Sequence, residues 1–411
     1  MIKFRYILIV LFLAILSTIY LFILSPYLSQ KFLEKSKKAN ENKDYTTALI
    51  FAEKSLKWKK NQDALLQKTI SFYNLNKNIE ALNTINIFLE KDSLNYNALL
   101  YKGKILKSLK NYSESVKIFN KLISIDSTFA EAYYQRGLVK AELGDFSEAV
   151  KDYKKAISLN YSNIDAYLKS IDAQKSINDF LGAIKDYDKL LEKYPDNANA
   201  FYKRGLFKVE IGDHEGALED FLKTLSLTDT INDVYFQTGR AYYQLNNGNK
   251  AIEYFNECIK RNYKLDETYY GLCLSYLKIN KPNEALKSID KAIKIDNKNK
   301  KYYHARGLSL AFKQDYEGSI KEFSKAIELD KNYTEAIYHR GVSFAVLKKY
   351  NNALLDFTKY LDIVNNNPEA YFNRAVAYIN LGKVKEGCED LLKAKQLGYK
   401  NIDEYLQMYC Q

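Results

Sequence analysis

The chain has 411 residues, 47% of them hydrophobic, with 4 Pro and 16 Gly and no Pro/Gly/Ser-rich linker, which favours one continuous helical body over domains strung on flexible tethers. Net charge is +12, yet eighteen Lys against ten acids fall between Lys31 and Phe129. Lys3 and Arg5 add two more, so the chain from Ala130 onward carries only about +2 and lacks the sustained basic surface that phosphate tracking needs. Four cysteines without a CxxC exclude a disulfide scaffold and a zinc ribbon.

Residues 1–5 form a short tail with Lys3 and Arg5. Tyr6 to Leu24 carries no charge and, as a helix, is roughly 29 Å long, about one hydrocarbon core. Residues 6–26 are read as a single transmembrane anchor that Pro26 ends. The alternative, a cleaved signal, expects a shorter apolar run and small residues at the cut. The basic tail favours a body outside the membrane, whereas Lys31, Lys35, Lys37, Lys38 and Lys43 pull towards the cytoplasm. Long domains cross largely regardless of charge, so the body is expected outside, in the periplasm. A Lys- and Asn-rich composition also simply solvates a surface. If the basic end has a partner, anionic lipid beside the span is the natural one.

From Ser29 the chain is self-similar at 34 residues. Ala130 to Asn163 serves as template. Its eighth place is glycine in Gly103, Gly137, Gly205, Gly239, Gly307 and Gly341. Its twentieth is Ala81, Ala149, Ala183, Ala217, Ala251, Ala285 and Ala353. Its twenty-fourth is Phe119, Tyr153, Tyr187, Phe221, Phe255, Phe323 and Phe357. Ten units run without a gap from Gln62, starting near 62, 96, 130, 164, 198, 232, 266, 300, 334 and 368. A degenerate unit starts near 29. Each holds two amphipathic runs about a polar turn, such as Leu143-Gly144-Asp145, and one such pair cannot bury its own apolar face, so neighbours must stack. Every proline past the span (Pro195, Pro282, Pro368) falls at an element boundary.

These places resemble the tetratricopeptide repeat (TPR), over essentially everything after the apolar segment. The resemblance implies an all-α fold: a right-handed α-solenoid of about eleven TPR helix pairs over 29–401, preceded by one transmembrane helix. It also implies a non-enzymatic scaffold that holds proteins or peptides on its concave face. Residues 402–411 read as a capping helix, with Ile402, Tyr405, Leu406 and Tyr409 on one face.

Five of the eight arginines occupy the seventh place. Arg136, Arg204, Arg306, Arg340 and Arg374 are followed sixteen residues on by Asp152, Asp220, Glu322, Asp356 and Asp390. Places seven and twenty-three lie eight residues either side of the turn, so these are expected to be ion pairs within each helical hairpin.

The fifth place, which the resemblance puts on the concave surface, reads Tyr134, Leu168, Tyr202, Phe236, Tyr270, His304, Tyr338 and Phe372. Apart from Leu168, these residues are the candidate partner-binding set together with Arg240, the one cation in the apolar strip beside them; the competing reading is that the rings pack between neighbouring first helices. The chaperone-binding branch of the family uses Lys and Asn at these places, and this chain does not. Anchored TPR regulators of lipopolysaccharide assembly end in a CxxC knuckle, which is also missing.

No HExxH, Walker loop or GxGxxG is present, and none of His214, His304 and His339 has an evident nucleophile beside it. No enzyme, cofactor, metal or small-molecule substrate is expected. The runner-up function is an anionic-polymer or nucleic-acid binder through the basic membrane-proximal repeats.

Cys388 and Cys410 lie eleven residues either side of Tyr399, and Cys258 and Cys273 flank the turn near Tyr263 to Leu265. Equal height on antiparallel helices is necessary for a disulfide and not sufficient. Four buried thiols are the alternative. The closing segment from Gly387 to Cys410 also resembles that of many bacterial TPR proteins of the Bacteroidetes type, which often carry the Cys388–Cys410 pair.

Overall fold

A computed structural model describes residues 2–161, 163–400 and 402–410. Met1 of the expected tail, Asn401 at the expected end of the array and Gln411 of the expected cap lie outside the described residues, as does Ser162.

No strand occurs among the described residues; helix follows helix throughout. First helices begin at Gln62, Tyr96, Ala130, Ile164, Ala198, Asn232, Leu265, Lys300, Thr334 and Pro368, and each is followed by an antiparallel second helix. The start at Leu265 falls one residue ahead of the 34-residue period, directly after Lys264 in the left-handed region (φ 41°).

The abundance of Asn and Asp has a local cause. Asn61, Asn95, Asn163, Asn197, Asn299 and Asn367 cap first helices through their side chains. Asp44, Asp145, Asp179, Asp213 and Asp315 do the same for second helices. Each cap satisfies a backbone N–H that the helix leaves open and contributes about 1 kcal/mol.

The glycines of the eighth place answer to the rings of the twenty-fourth. A Cβ on Gly137 would sit 2.7 Å from the Tyr153 ring, and one on Gly307 would sit 2.6 Å from Phe323. Where the twenty-fourth place is aliphatic, the eighth is larger: Thr69 opposite Ile85, Cys273 opposite Ile289, Ala375 opposite Leu391. Ile171 opposite Tyr187 is the exception.

The apolar N-terminal stretch corrects one expectation. Helix Ile2–Ile19 passes through a π-helical turn, Tyr20–Leu24, directly into helix Ser25–Glu41. Pro26 therefore does not end the apolar helix. A proline has no N–H to give the carbonyl four residues back, but the wide turn opens just before it, and Pro26 sits in the first turn of the next α-helical stretch, where that bond is not required. Helix Ser25–Glu41, which pairs with Tyr45–Trp58, is thus continuous with a helix long and apolar enough to cross a membrane. From Tyr6 to Leu24 the apolar side chains of the described residues are exposed, Phe12 at 63% and Phe22 at 78%.

Contacts group the chain into two compact units, Met1–Pro195 and Asp196–Gln411. The boundary falls between two helix pairs. In a repeat stack each pair touches only its neighbours, so no single core ties the whole chain together. Within the first unit the core is a row of small clusters, one built on Ile85 and Phe88, one on Phe119 and Leu122, and one on Tyr134 and Tyr153. In the second unit Phe221, Phe255, Ile289, Phe323, Phe357 and Leu391 centre successive clusters.

The last cluster includes the C-terminal helix Asp403–Tyr409. Ile402 is buried and Leu406 packs against the final pair, while Tyr405 meets Phe372 edge-on at 4.9 Å. Tyr409 stays more than a third exposed.

Candidate functional site

The seventh and twenty-third places face each other across each hairpin. Arg136 holds Asp152 through Nε at 2.8 Å and also through Nη2. Arg204 holds Asp220 at 2.9 and 2.6 Å, Arg340 holds Asp356 at 2.8 and 2.7 Å, and Arg374 holds Asp390 at 2.7 and 2.8 Å. All four are two-pronged. Arg306 meets Glu322 through Nη2 alone, and its Nε is left without an acceptor. The carboxylates are nearly buried, Asp152 at 3% exposure and Glu322 at 8%. Lys140 and Lys208 add a second cation to Asp152 and Asp220, at 2.9 and 3.0 Å. With their charges matched inside the hairpin, these arginines have little left for an outside anion. Asp186, the one acid at this place without an arginine, receives the Ser170 hydroxyl at 2.6 Å and the Gln174 amide at 2.7 Å.

The fifth-place rings divide by burial. Tyr134 and Phe236 are each 5% exposed and belong to the core, whereas Leu168, Tyr202, Tyr270, His304, Tyr338 and Phe372 are half-buried. Most lean on the twenty-fourth-place ring of their own repeat: Tyr134 on Tyr153 at 6.0 Å, Tyr202 on Phe221 at 6.2 Å, Phe236 on Phe255 at 5.8 Å, His304 on Phe323 at 5.6 Å, and Tyr338 on Phe357 at 6.0 Å.

The tyrosines among them have a second task that sequence reasoning missed. The Tyr134 hydroxyl donates to Asp165, that of Tyr202 to Asp233 at 2.5 Å and that of Tyr338 to Glu369 at 3.4 Å. Each acceptor is the second-place acid of the next repeat, so the hydroxyl clasps neighbouring pairs. The signal was present as a recurring acid 31 residues after the tyrosine. Asp233 collects four donors, from Tyr202, Gln237, Tyr263 and Lys264. Burial alone would raise its pKa, but these bonds prevail and hold it at about 2.

Tyr270 breaks the pattern, because the second place of the next repeat is Lys301. Its hydroxyl makes no hydrogen bond among the described residues, and burial pushes its pKa up to about 12. A cavity of about 470 Å³ opens there in the second unit, lined by Phe236, Arg240, Tyr243, Tyr270, Leu274 and Lys301 among others. Asp266 and Glu267 also line it, and Asp266 accepts from the Tyr302 hydroxyl at 2.9 Å. Arg240 is exposed, touches Gln237 at 3.3 Å and pairs with no acid among the described residues. An apolar wall, a free guanidinium, an ammonium and an unclasped hydroxyl suit an aromatic or aliphatic side chain that carries a nearby carboxylate.

His304 and His339 approach to 3.2 Å, Nε2 to Nδ1, and the second ring also lies 2.7 Å from the Glu335 carbonyl oxygen. Burial, then the neighbouring ring, pushes His304 down to about 3, and burial lowers His339. Among the described residues no group of three His, Cys, Asp or Glu could hold a metal ion.

Cys388 and Cys410 are bridged, with Cα atoms 5.6 Å apart. Cys258 and Cys273 are free and buried. They lie at different heights, Cys258 near the end of helix Gly248–Lys260 and Cys273 in the middle of helix Leu265–Lys278, and pack in different clusters, beside Phe255 and Ile289. Burial pushes both thiols up to about 12.

Comparisons with known proteins agree with this architecture. Family models of the tetratricopeptide repeat match residues 96–129, 130–160, 168–229, 233–264, 266–299, 300–333 and 368–397, together more than half of the chain. No catalytic family is indicated, and no curated protein matches. Among solved structures, that of the APC/C hetero-tetramer Cut9–Hcn1 is 12% identical over 93% of this chain and 96% of its own, with a TM-score of 0.49. A tetratricopeptide repeat protein from Parabacteroides merdae is 18% identical, covering 61% and 99%, at 0.40. MamA is 28% identical, covering 40% and 91%, at 0.38.

Proposed function

This chain belongs to the tetratricopeptide repeat family, and from that premise we propose that it is a membrane-tethered scaffold whose second unit captures a partner protein or peptide at the Tyr270–Arg240 cavity. The observation that carries the reading is the interrupted clasp. Lys301 stands where the neighbouring repeats place an acid, so the Tyr270 hydroxyl is released beside the unpaired Arg240 and a cavity is left open. Tyr202, His304, Tyr338 and Phe372 extend the strip along the same unit. Tyr134 and Phe236 are core and contribute by packing.

The apolar helix that runs into Ser25–Glu41 supports the tether. The Cys388–Cys410 bridge supports a body outside the reducing cytoplasm.

A photo-crosslinking side chain at position 270 in the full chain, activated in native membranes, tests the reading. The adduct should be a discrete partner whose yield falls at least tenfold with Arg240→Ala and is unchanged by Lys321→Ala on the exposed face of a second helix. Equal yields from both variants, or no adduct, would remove the cavity as the site.

A further inference from the structure

The chain has a single tryptophan, Trp58, at the end of helix Tyr45–Trp58. This helix returns antiparallel to Ser25–Glu41 and brings Trp58 back to the level where the apolar helix ends. The Ser25 hydroxyl donates to the Trp58 carbonyl oxygen, and the Tyr20 and Trp58 rings lie 5.9 Å apart. If Tyr6 to Leu24 fills the hydrocarbon core, Tyr20 lies about 6 Å inside its edge. Trp58, in contact with it, lies at the headgroup boundary, the depth that tryptophan and tyrosine prefer because the ring is apolar and the N–H or O–H needs water.

The residues around Trp58 carry one sign of charge. Lys57, Lys59 and Lys60 flank it, and among the described residues none of the three pairs with an acid. Lys59 and Lys60 line a cleft of about 440 Å³ whose other wall is Pro26, Ser29 and Gln30, on the helix that continues the span. Three unpaired ammonium groups at the mouth of the span match the negative layer of phospholipid headgroups.

We propose that residues 57–61 form a second membrane contact: the Trp58 ring seats in the interface, and Lys57, Lys59 and Lys60 engage anionic phospholipid headgroups of the bilayer that the N-terminal helix crosses. This rests on the tethered reading above. Two fixed points, the span and the turn, hold the first repeat against the surface. A bare anchor would leave it free to tilt.

Because Trp58 is the only tryptophan, its fluorescence reports this contact without a label. The full chain is reconstituted into vesicles of phosphatidylcholine, with and without phosphatidylglycerol, and quenched with acrylamide from the water or with lipids brominated at shallow and deep positions. Trp58 should be shielded from acrylamide and quenched most by the shallow bromines, more strongly when phosphatidylglycerol is present. Reversing Lys57, Lys59 and Lys60 to Glu should abolish the phosphatidylglycerol increment while the chain still floats with vesicles after alkaline carbonate. A chain that resists carbonate but whose Trp58 is open to acrylamide and untouched by brominated lipid overturns this proposal and leaves the tether standing. An unchanged increment in the triple variant removes the anionic headgroup as partner. A chain that does not float at all overturns the tether and this contact with it.

Discussion

Arg306 and Glu322 form the only one of the five hairpin ion pairs, among the described residues, that closes on one prong, and the Nε of Arg306 is left without an acceptor. Glutamate is one methylene longer than aspartate, and its carboxylate reaches past the side-on position that Asp152, Asp220, Asp356 and Asp390 take. Glu322→Asp is therefore expected to restore the two-pronged pair and raise the urea midpoint of the second unit. Arg340→Ala strands the nearly buried Asp356 carboxylate, which has no second cation among the described residues, and is expected to cost about 3–5 kcal/mol. Arg340→Lys, which cannot fork, falls between wild type and Arg340→Ala. A Glu322→Asp variant no more stable than the parent would show that the orphaned Nε costs nothing.

Gly137→Ala places a methyl group 2.7 Å from the Tyr153 ring and is expected to destabilise by about 1–3 kcal/mol. Adding Tyr153→Leu should recover much of that loss, since Ala375 already sits opposite Leu391 elsewhere in the chain. Circular dichroism melts of the single and double variants decide the point; additive losses would mean that the two places do not share one space.

Loss of the clasp should be visible one hydroxyl at a time. Tyr134→Phe and Tyr202→Phe each break a hydrogen bond to an acid of the next repeat and are expected to cost about 1.5–3 kcal/mol, the range for bonds to charged groups. Tyr270→Phe breaks none among the described residues and should be near neutral for stability. Hydrogen exchange of the helices that follow each tyrosine reads the difference. Equal protection in all three variants would dispose of the clasp.

Acid should loosen the His304 region. Its folded pKa of about 3 lies below the ordinary histidine value, so the unfolded chain binds the proton first. Stability is therefore full above about pH 6.5 and declines as pH falls towards 3, at up to about 1.4 kcal/mol per pH unit. His304→Phe should flatten this dependence over the same window when the urea midpoint is followed against pH. A profile identical to wild type would place the titration elsewhere.

Reduction of Cys388–Cys410 is expected to release helix Asp403–Tyr409 from the final pair. The closed loop of 22 residues corresponds to about 3 kcal/mol in the chain-entropy picture. Proteolysis near residue 400 with and without reductant measures it. Thiol titration of the unreduced, denatured protein should find two groups, Cys258 and Cys273, and four would show the bridge unformed.

Much of this protein was written in its sequence because a repeat states each structural requirement many times. Glycine against ring at places eight and twenty-four, and arginine against acid at seven and twenty-three, are local pairings within one hairpin. Their spacing fixes which residues meet, and repetition separates them from chance. What only the tertiary structure decided lies between hairpins or where the period is broken. The clasp from Tyr202 to Asp233 joins two repeats, so it depends on how far one pair is rotated against the next, which no spacing within a repeat specifies. Burial split the fifth-place strip, sending Tyr134 and Phe236 to the core while Tyr270 kept an open hydroxyl, although all three occupy the same place. Pro26 looked like a stop, and the backbone accommodated it with one wider turn. Cys258 lies near the end of helix Gly248–Lys260 and Cys273 in the middle of helix Leu265–Lys278, at different heights, and they stay free, whereas Cys388 and Cys410 stand at matching distances from the ends of Val384–Gln396 and Asp403–Tyr409 and bond. Sequence distance sets the height of two side chains on antiparallel helices, while the packing around them sets the direction in which each one points.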